Sequence, residues 1–221
     1  MTEVLLVHGA CFGAWCWDQL VPELAAVGIA ARAIDLPGRN AAASLQDQAR
    51  AIATALSGPT VLLGHSAGGF AITAAAGLSA DVAGLIYLAA YVPVAGMTLA
   101  QMRRAGPSQP MAGAFEVDRA AGLFGFQPER ARELFFHDCA DASAQLCRQA
   151  LAPMETALTA VRTDLPRGAI VCTQDRAIPP AYQRSMAAGM TQAEIACGHA
   201  PFLAEPRDLA ASIAALLGKI G

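Results

Sequence analysis

Thr60-Val61-Leu62-Leu63-Gly64-His65-Ser66-Ala67-Gly68-Gly69-Phe70-Ala71-Ile72 is the stretch on which the fold turns. An apolar run of strand length enters a G-x-S-x-G turn, and a helix of small residues leaves it. A serine flanked by glycines two positions to either side, between strand and helix, marks a sharp elbow. In such a turn the serine takes a strained backbone conformation, and the glycines relieve the crowding around it. Its hydroxyl then projects above the sheet, at the N-terminus of a helix whose dipole favours developing negative charge. A serine that merely caps the helix is the plainer use of the same residue.

Outward from the elbow, short apolar runs alternate with longer Ala-rich helical stretches. That is the pattern of a mostly parallel sheet with helices on both faces, an α/β fold. The expected strands are 4–7, 29–34, 60–63, 84–90, 169–173 and a weaker 191–196, about six in all. Helices are expected at 15–27, 45–56, after the elbow to about residue 77, and at 206–217. Between Pro93 and Pro166 the rhythm changes: strands disappear, and five of the eight phenylalanines fall in this third of the chain. The expected organisation is a core over 1–92 and 166–221, with a small helical cap inserted at 93–165. A cap there would roof a site at the strand C-terminal ends. Phe115, Leu123, Phe124, Phe135 and Met154 are the cap's candidate pocket residues. Most such aromatics elsewhere only pack a core.

Composition excludes several classes. Of 221 residues 51 are alanine and one, Lys219, is lysine, so P-loop and Schiff-base chemistry have no suitable amine. A net charge of −3 argues against nucleic acid as a partner, which needs a basic face. Mean hydropathy is high at +0.40, yet the longest apolar run, 82–92, is about half a membrane span and Pro93 ends it. The chain begins Met1-Thr2-Glu3 with no basic region, so no secretory leader is expected, and a cytoplasmic location is. Cys11, Cys16, Cys139, Cys147, Cys172 and Cys197 form no C-x-x-C pair and are expected as reduced, small apolar residues. No metal site is expected.

A serine hydroxyl needs a general base at neutral pH. Of the four histidines, His8 precedes the first loop, His65 is the variable position of the elbow, and His137 lies in the cap. His199, in Cys197-Gly198-His199-Ala200-Pro201-Phe202, follows the sixth strand at the same sheet end as Ser66. It is the candidate base by elimination and position. A carboxylate should orient it from a loop between the two, also after a strand. Asp175 lies two residues past the fifth strand, whereas Asp164 precedes that strand, at the wrong end. The 90–94 loop holds no carboxylate. Two donors must also await the oxyanion: the N–H of Ala67, directly after Ser66, and the N–H of Ala10 in the first Gly-rich loop. That loop is not G-x-G-x-x-G, so no dinucleotide cofactor is expected.

Four stretches carry a resemblance: Leu6-Val7-His8-Gly9-Ala10-Cys11-Phe12-Gly13-Ala14-Trp15-Cys16-Trp17, Gly64-His65-Ser66-Ala67-Gly68-Gly69, Tyr87-Leu88-Ala89-Ala90-Tyr91-Val92-Pro93 and Val171-Cys172-Thr173-Gln174-Asp175-Arg176-Ala177-Ile178-Pro179. Through them the whole chain resembles the α/β-hydrolase fold. More narrowly it resembles the branch of plant methylesterases, hydroxynitrile lyases and bacterial pyrethroid-hydrolase-like carboxylesterases. The resemblance implies a Ser66–Asp175–His199 triad, an oxyanion hole at Ala10 and Ala67, a pocket bordered by Phe12, Trp15 and the apolar cap residues, no cofactor, and a homodimer. The lyases of this branch carry a threonine where this chain has Gly9, and a lysine after the catalytic histidine, where it has Ala200. Both departures favour ester hydrolysis, and the Phe- and Met-bearing insertion suggests a small-to-medium apolar or aromatic ester. Serine rather than aspartate in the elbow disfavours dehalogenase and epoxide-hydrolase chemistry. A lyase on the same triad and a non-catalytic binder of small ligands are the two alternatives. Arg103, Arg104, Arg130 and Arg132 in the cap could attract a carboxylate, although charged cap residues are usually a solvated face.

Overall fold

The computed structural model describes residues 3–220. In chain order its main elements are β1 (Glu3–Val7), α1 (Leu20–Ala26), β2 (Ala31–Ile34), α2 (Leu45–Ala55), β3 (Thr60–His65), α3 (Gly68–Ala76) and β4 (Val82–Leu88). Then come α4 (Leu99–Ala105), β5 (Phe115–Asp118), β6 (Leu123–Phe126), α5 (Pro128–Phe135), β7 (Gln149–Ala150) and α6 (Ala152–Glu155). The chain closes with β8 (Arg167–Cys172), α7 (Pro180–Met186), β9 (Thr191–Ile195), α8 (Pro201–Ala204) and α9 (Pro206–Ile220).

The main sheet has six strands in the order β2-β1-β3-β4-β8-β9. Every pairing in it is parallel. From β1 the chain moves first to the β2 edge and then back past β1 to β3. The reversal leaves a crevice beyond the strand C-terminal ends, where open α/β sheets place their sites. Strand position explains strand composition. All six residues of central β3 are buried, so Thr-Val-Leu-Leu-Gly-His reads as a continuous apolar run. Edge strand β9 is covered on one face and alternates in exposure.

Helix α3 is buried along almost its whole length. Its first turn carries glycines because the sheet leaves no room for side chains. A Cβ at Gly68 would sit 2.7 Å from the His8 carbonyl oxygen, and one at Gly69 would overlap that of Tyr91. Helices α2 and α4 each begin with a capping box, Ser44 with Asp47 and Thr98 with Gln101. The helix expected over 15–27 is instead a 3-10 turn, Ala14–Trp17, followed by α1. Pro22 lies in the first turn of α1, the part of a helix that tolerates a missing N–H. Cys11, Cys16, Cys172 and Cys197 are buried, as small apolar residues would be, and none of the six cysteines is paired.

The segment between β4 and β8 corrects the all-helical expectation for the cap. It holds α4, α5 and α6, but also a three-stranded sheet in the order β5-β6-β7. Phe115 pairs with Phe126 and Val117 with Phe124, antiparallel. The turn between them needs Gly122, which has φ +65°. Clustered aromatics suit a helix face, but Phe-Glu-Val-Asp and Leu-Phe-Gly-Phe have the period of strands. The cap docks through backbone and one buried amide. Ala150 N–H donates to Gly38 O at 2.8 Å, Cys147 N–H to Cys11 O at 2.9 Å, and Cys11 N–H to Gln149 Oε1 at 2.5 Å. No described helix is long and apolar enough to cross a membrane.

Candidate active site

Ser66 follows β3 directly and has φ +53°, the left-handed conformation expected of the elbow. Among the described residues four non-glycines adopt positive φ, and three of them, Cys11, Ser66 and Ala89, follow the C-terminal ends of β1, β3 and β4. Such conformations cost roughly 1–3 kcal/mol each and persist where the surroundings over-determine them. The Ser66 N–H donates to Leu88 O at 3.1 Å, and Ser66 O accepts from Tyr91 N–H at 3.2 Å. The serine is therefore clamped between β3 and the loop after β4. Gly64 completes the constraint, since a Cβ there would lie 2.8 Å from the Gly68 carbonyl carbon and oxygen.

His199 and Asp175 lie on the loops after β9 and β8. His199 Nδ1 is 2.7 Å from Asp175 Oδ2, and both side chains are buried. The carboxylate is held from every side. Its Oδ1 accepts from the N–H groups of Ala177 at 2.7 Å and Ile178 at 2.9 Å. Its Oδ2 accepts from Gln183 Nε2 at 2.8 Å as well as from the imidazole. An imidazole that gives its Nδ1 proton to a carboxylate presents Nε2 as a base. Ser66, His199, Ala10 and Ala67 all line one cavity of about 170 Å³. The N–H groups of Ala10 and Ala67 donate to nothing among the described residues. Two unused donors beside a strained serine suit a developing oxyanion.

Three supporting residues escape a reading of the sequence. Gln183, on α7, is buried and ties Asp175 Oδ2, Ile178 O and Cys172 N–H together. His65 is fully buried, and its Nε2 lies 2.9 Å from the His199 carbonyl oxygen. A carbonyl only accepts, so Nε2 carries the proton and Nδ1 is left without a partner. Burial holds His65 well below the usual histidine range, and the neighbouring His199 acts the same way. Asp138, from the cap, accepts from Gly198 N–H at 2.5 Å and so fixes the residue before His199. No local signal marks any of the three, because each partner lies far away in sequence or on another element. His8 instead braces the first loop: its Nδ1–H donates to Gly9 O, and its Nε2 accepts from Leu36 N–H. Burial pushes it down to about 4, so it stays neutral.

Of the candidate pocket residues, Phe12, Phe115, Phe124, Phe135 and Met154 line the cavity. Trp15 does not; it stacks behind Phe12 at 5.8 Å between ring centroids. Leu123 does not either. Side chains alternate along a strand, so the face of β6 that turns Phe124 and Phe126 to the cavity turns Leu123 away. Tyr91, Leu99, Met111, Val117 and Phe126 line it as well, with Arg103, Arg104, Arg119 and Glu155.

Known proteins resemble this chain along most of its length. The chain is 31% identical to a pyrethroid hydrolase of Sphingobium wenxiniae over 97% of its own length and 87% of that protein. It is 26% identical to salicylic acid-binding protein 2 of Nicotiana tabacum, covering 95% of this chain and 94% of the relative. A crystal structure of a pyrethroid hydrolase from Sphingobium faniae superposes with a TM-score of 0.87 at 27% identity, covering 98% and 97% of the two chains. The family model described as alpha/beta hydrolase family matches residues 4–212, which include the elbow, the acid loop and the histidine loop. With that span and a parallel sheet carrying a serine elbow at its switch point, the chain belongs to the α/β-hydrolase family.

Proposed function

We propose that this protein is a serine carboxylesterase acting on small-to-medium apolar or aromatic esters. One observation carries the reading: a buried Asp175–His199 pair at 2.7 Å opens onto the same cavity as a left-handed Ser66. His199 Nε2 takes the Ser66 proton as Oγ attacks the ester carbonyl, and the oxyanion turns to the Ala10 and Ala67 N–H groups. His199 then gives that proton to the departing alkoxide, leaving an acyl-serine. Water, deprotonated by His199, attacks the acyl carbon; Ser66 recovers its proton and the acid leaves. Asp175 steadies the imidazolium in both halves.

The cavity wall supports an apolar substrate, being mostly Phe, Met, Leu and Val apart from its arginines and Glu155. Relatives named as pyrethroid hydrolase and methyl jasmonate esterase point the same way. A Cβ at Gly9 would lie 2.8 Å from His65 Nδ1 and 3.0 Å from Ser66 Cβ. That crowding favours hydrolysis over the lyase reading, which places a threonine there. Six unpaired cysteines suit the cytosol. Ser66→Ala is expected to lower kcat/KM for 4-nitrophenyl butyrate by more than about 10³-fold. Turnover surviving that change, or saturable binding with no turnover by the wild type, would sink the proposal.

A further inference from the structure

Arg103, Arg104 and Arg119 line the cavity that Ser66 and His199 share, and Glu155 is the one carboxylate lining it with them. Glu155 Oε1 is 3.5 Å from Arg119, which leaves Arg103 and Arg104 uncompensated. That is unusual for this chain. Ten of its fourteen arginines have a carboxylate oxygen within 4.0 Å. Arg103, Arg104, Arg167 and Arg176 have none among the described residues, and two of these four face the cavity. Arg130 and Arg132, also in the cap, are the contrast: they pair with Glu133 and Asp141 on a solvated face.

Among the described residues neither guanidinium has a hydrogen-bond or ion-pair partner. Both residues lie in the last turn of α4, where cations commonly reach the free carbonyls. Here Gln109 Nε2 already donates to the carbonyls of Arg103 and Arg104, at 3.0 Å each. Arg103 Cζ lies 4.8 Å from the centroid of the Phe115 ring, itself a wall of the cavity. Stacking on an aromatic face orients a guanidinium while leaving its N–H donors free. Its field reaches inward, partly offsetting the burial that pushes the Tyr91 hydroxyl up.

We infer that the ester taken by this cavity carries a second, anionic group, a carboxylate remote from the scissile carbonyl. Arg103 binds it as a planar fork, with Arg104 beside it, while the apolar middle of the substrate lies along Phe115, Phe124 and Phe126. The substrate class is therefore an acidic half-ester. This inference rests on the esterase reading of the same site and narrows its apolar or aromatic esters to those that end in a carboxylate.

Two matched pairs of esters test it, each rate corrected for spontaneous hydrolysis. On the acyl side 4-nitrophenyl hydrogen adipate is compared with 4-nitrophenyl hexanoate. On the alcohol side 4-carboxyphenyl butanoate is compared with 4-methylphenyl butanoate. In at least one pair kcat/KM is expected to favour the anion by about 10-fold at low ionic strength. That ratio should fall towards one in high salt and in the R103Q/R104Q double variant, but not in R167Q, which removes an unpaired arginine elsewhere. Neutral esters turned over as fast as the anions in both pairs, or a ratio that survives R103Q/R104Q, would overturn the inference. The esterase reading would then still stand, provided neutral turnover is lost in Ser66→Ala. Loss of neither preference nor turnover in Ser66→Ala would bring down both.

Discussion

The floor and the roof of the cavity are built by different means. The floor, formed by the loops after β1, β3, β8 and β9, is held by backbone. Ser66 is pinned by hydrogen bonds to two neighbouring segments, its glycines admit no Cβ, and Asp175 accepts four hydrogen bonds. The roof is a small three-stranded sheet and short helices that rest on the core through a few hydrogen bonds and turn to the cavity apolar side chains and, among the described residues, two arginines without a carboxylate partner. The difference separates two roles. Chemistry needs groups fixed within fractions of an ångström, which a buried backbone provides. Selectivity needs a surface that can change without moving the floor.

The comparison can be broken most severely at Asp175. Asp175→Asn should lower kcat by about 10³- to 10⁴-fold, by offering Nδ1 a group that need not accept its proton. Steady-state kinetics on 4-nitrophenyl butyrate, with an unchanged circular-dichroism spectrum, checks this. Gly69→Ala attacks the scaffold beneath. With Tyr91 O in the way of the new methyl group, a loss on the order of 4 kcal/mol of stability is expected in urea unfolding.

The floor also sets a pH dependence. His8 titrates near 4 when folded, against 6.5 for a free histidine. Between those values the unfolded chain binds a proton that the folded one refuses. Stability is therefore full above about pH 6.5 and falls as the pH drops towards 4, by about 3 kcal/mol from this group. His65, shifted the same way, adds to the loss. Urea midpoints measured from pH 7 to pH 4 would show it, and a flat profile would contradict the buried, neutral histidines. The smallest effect belongs to the roof. Phe126→Ala should lower kcat/KM about 10-fold for a naphthyl ester but less than about 3-fold for an acetate. Equal losses on both would mean that roof and floor are not separable.

The same division decides what the sequence can tell. The loops that carry Ser66, Asp175 and His199 are legible because each follows a strand, and strand ends are marked by apolar runs and turn residues. The parallel sheet is legible for the same reason. The roof is not, because strands of four residues are too short for their period to outweigh the clustering of aromatics until the turn at Gly122 is seen. The expected pocket set takes in Leu123 and leaves out Phe126 and Val117, which the strand face supplies. Trp15 is displaced by one layer from its expected place, behind Phe12. Gln183, His65 and Asp138 are illegible for another reason: their value lies in single long-range hydrogen bonds, which leave no pattern along the chain.

The most direct test of the floor as the seat of chemistry is to trap the proposed nucleophile. After reaction with a fluorophosphonate, intact mass should show one adduct per chain, and peptide mapping should place it on Ser66. His199→Ala should slow labelling by more than about 10²-fold, since the base activates the serine. Label on any other residue, or equal labelling of a Ser66→Ala chain, would contradict the account.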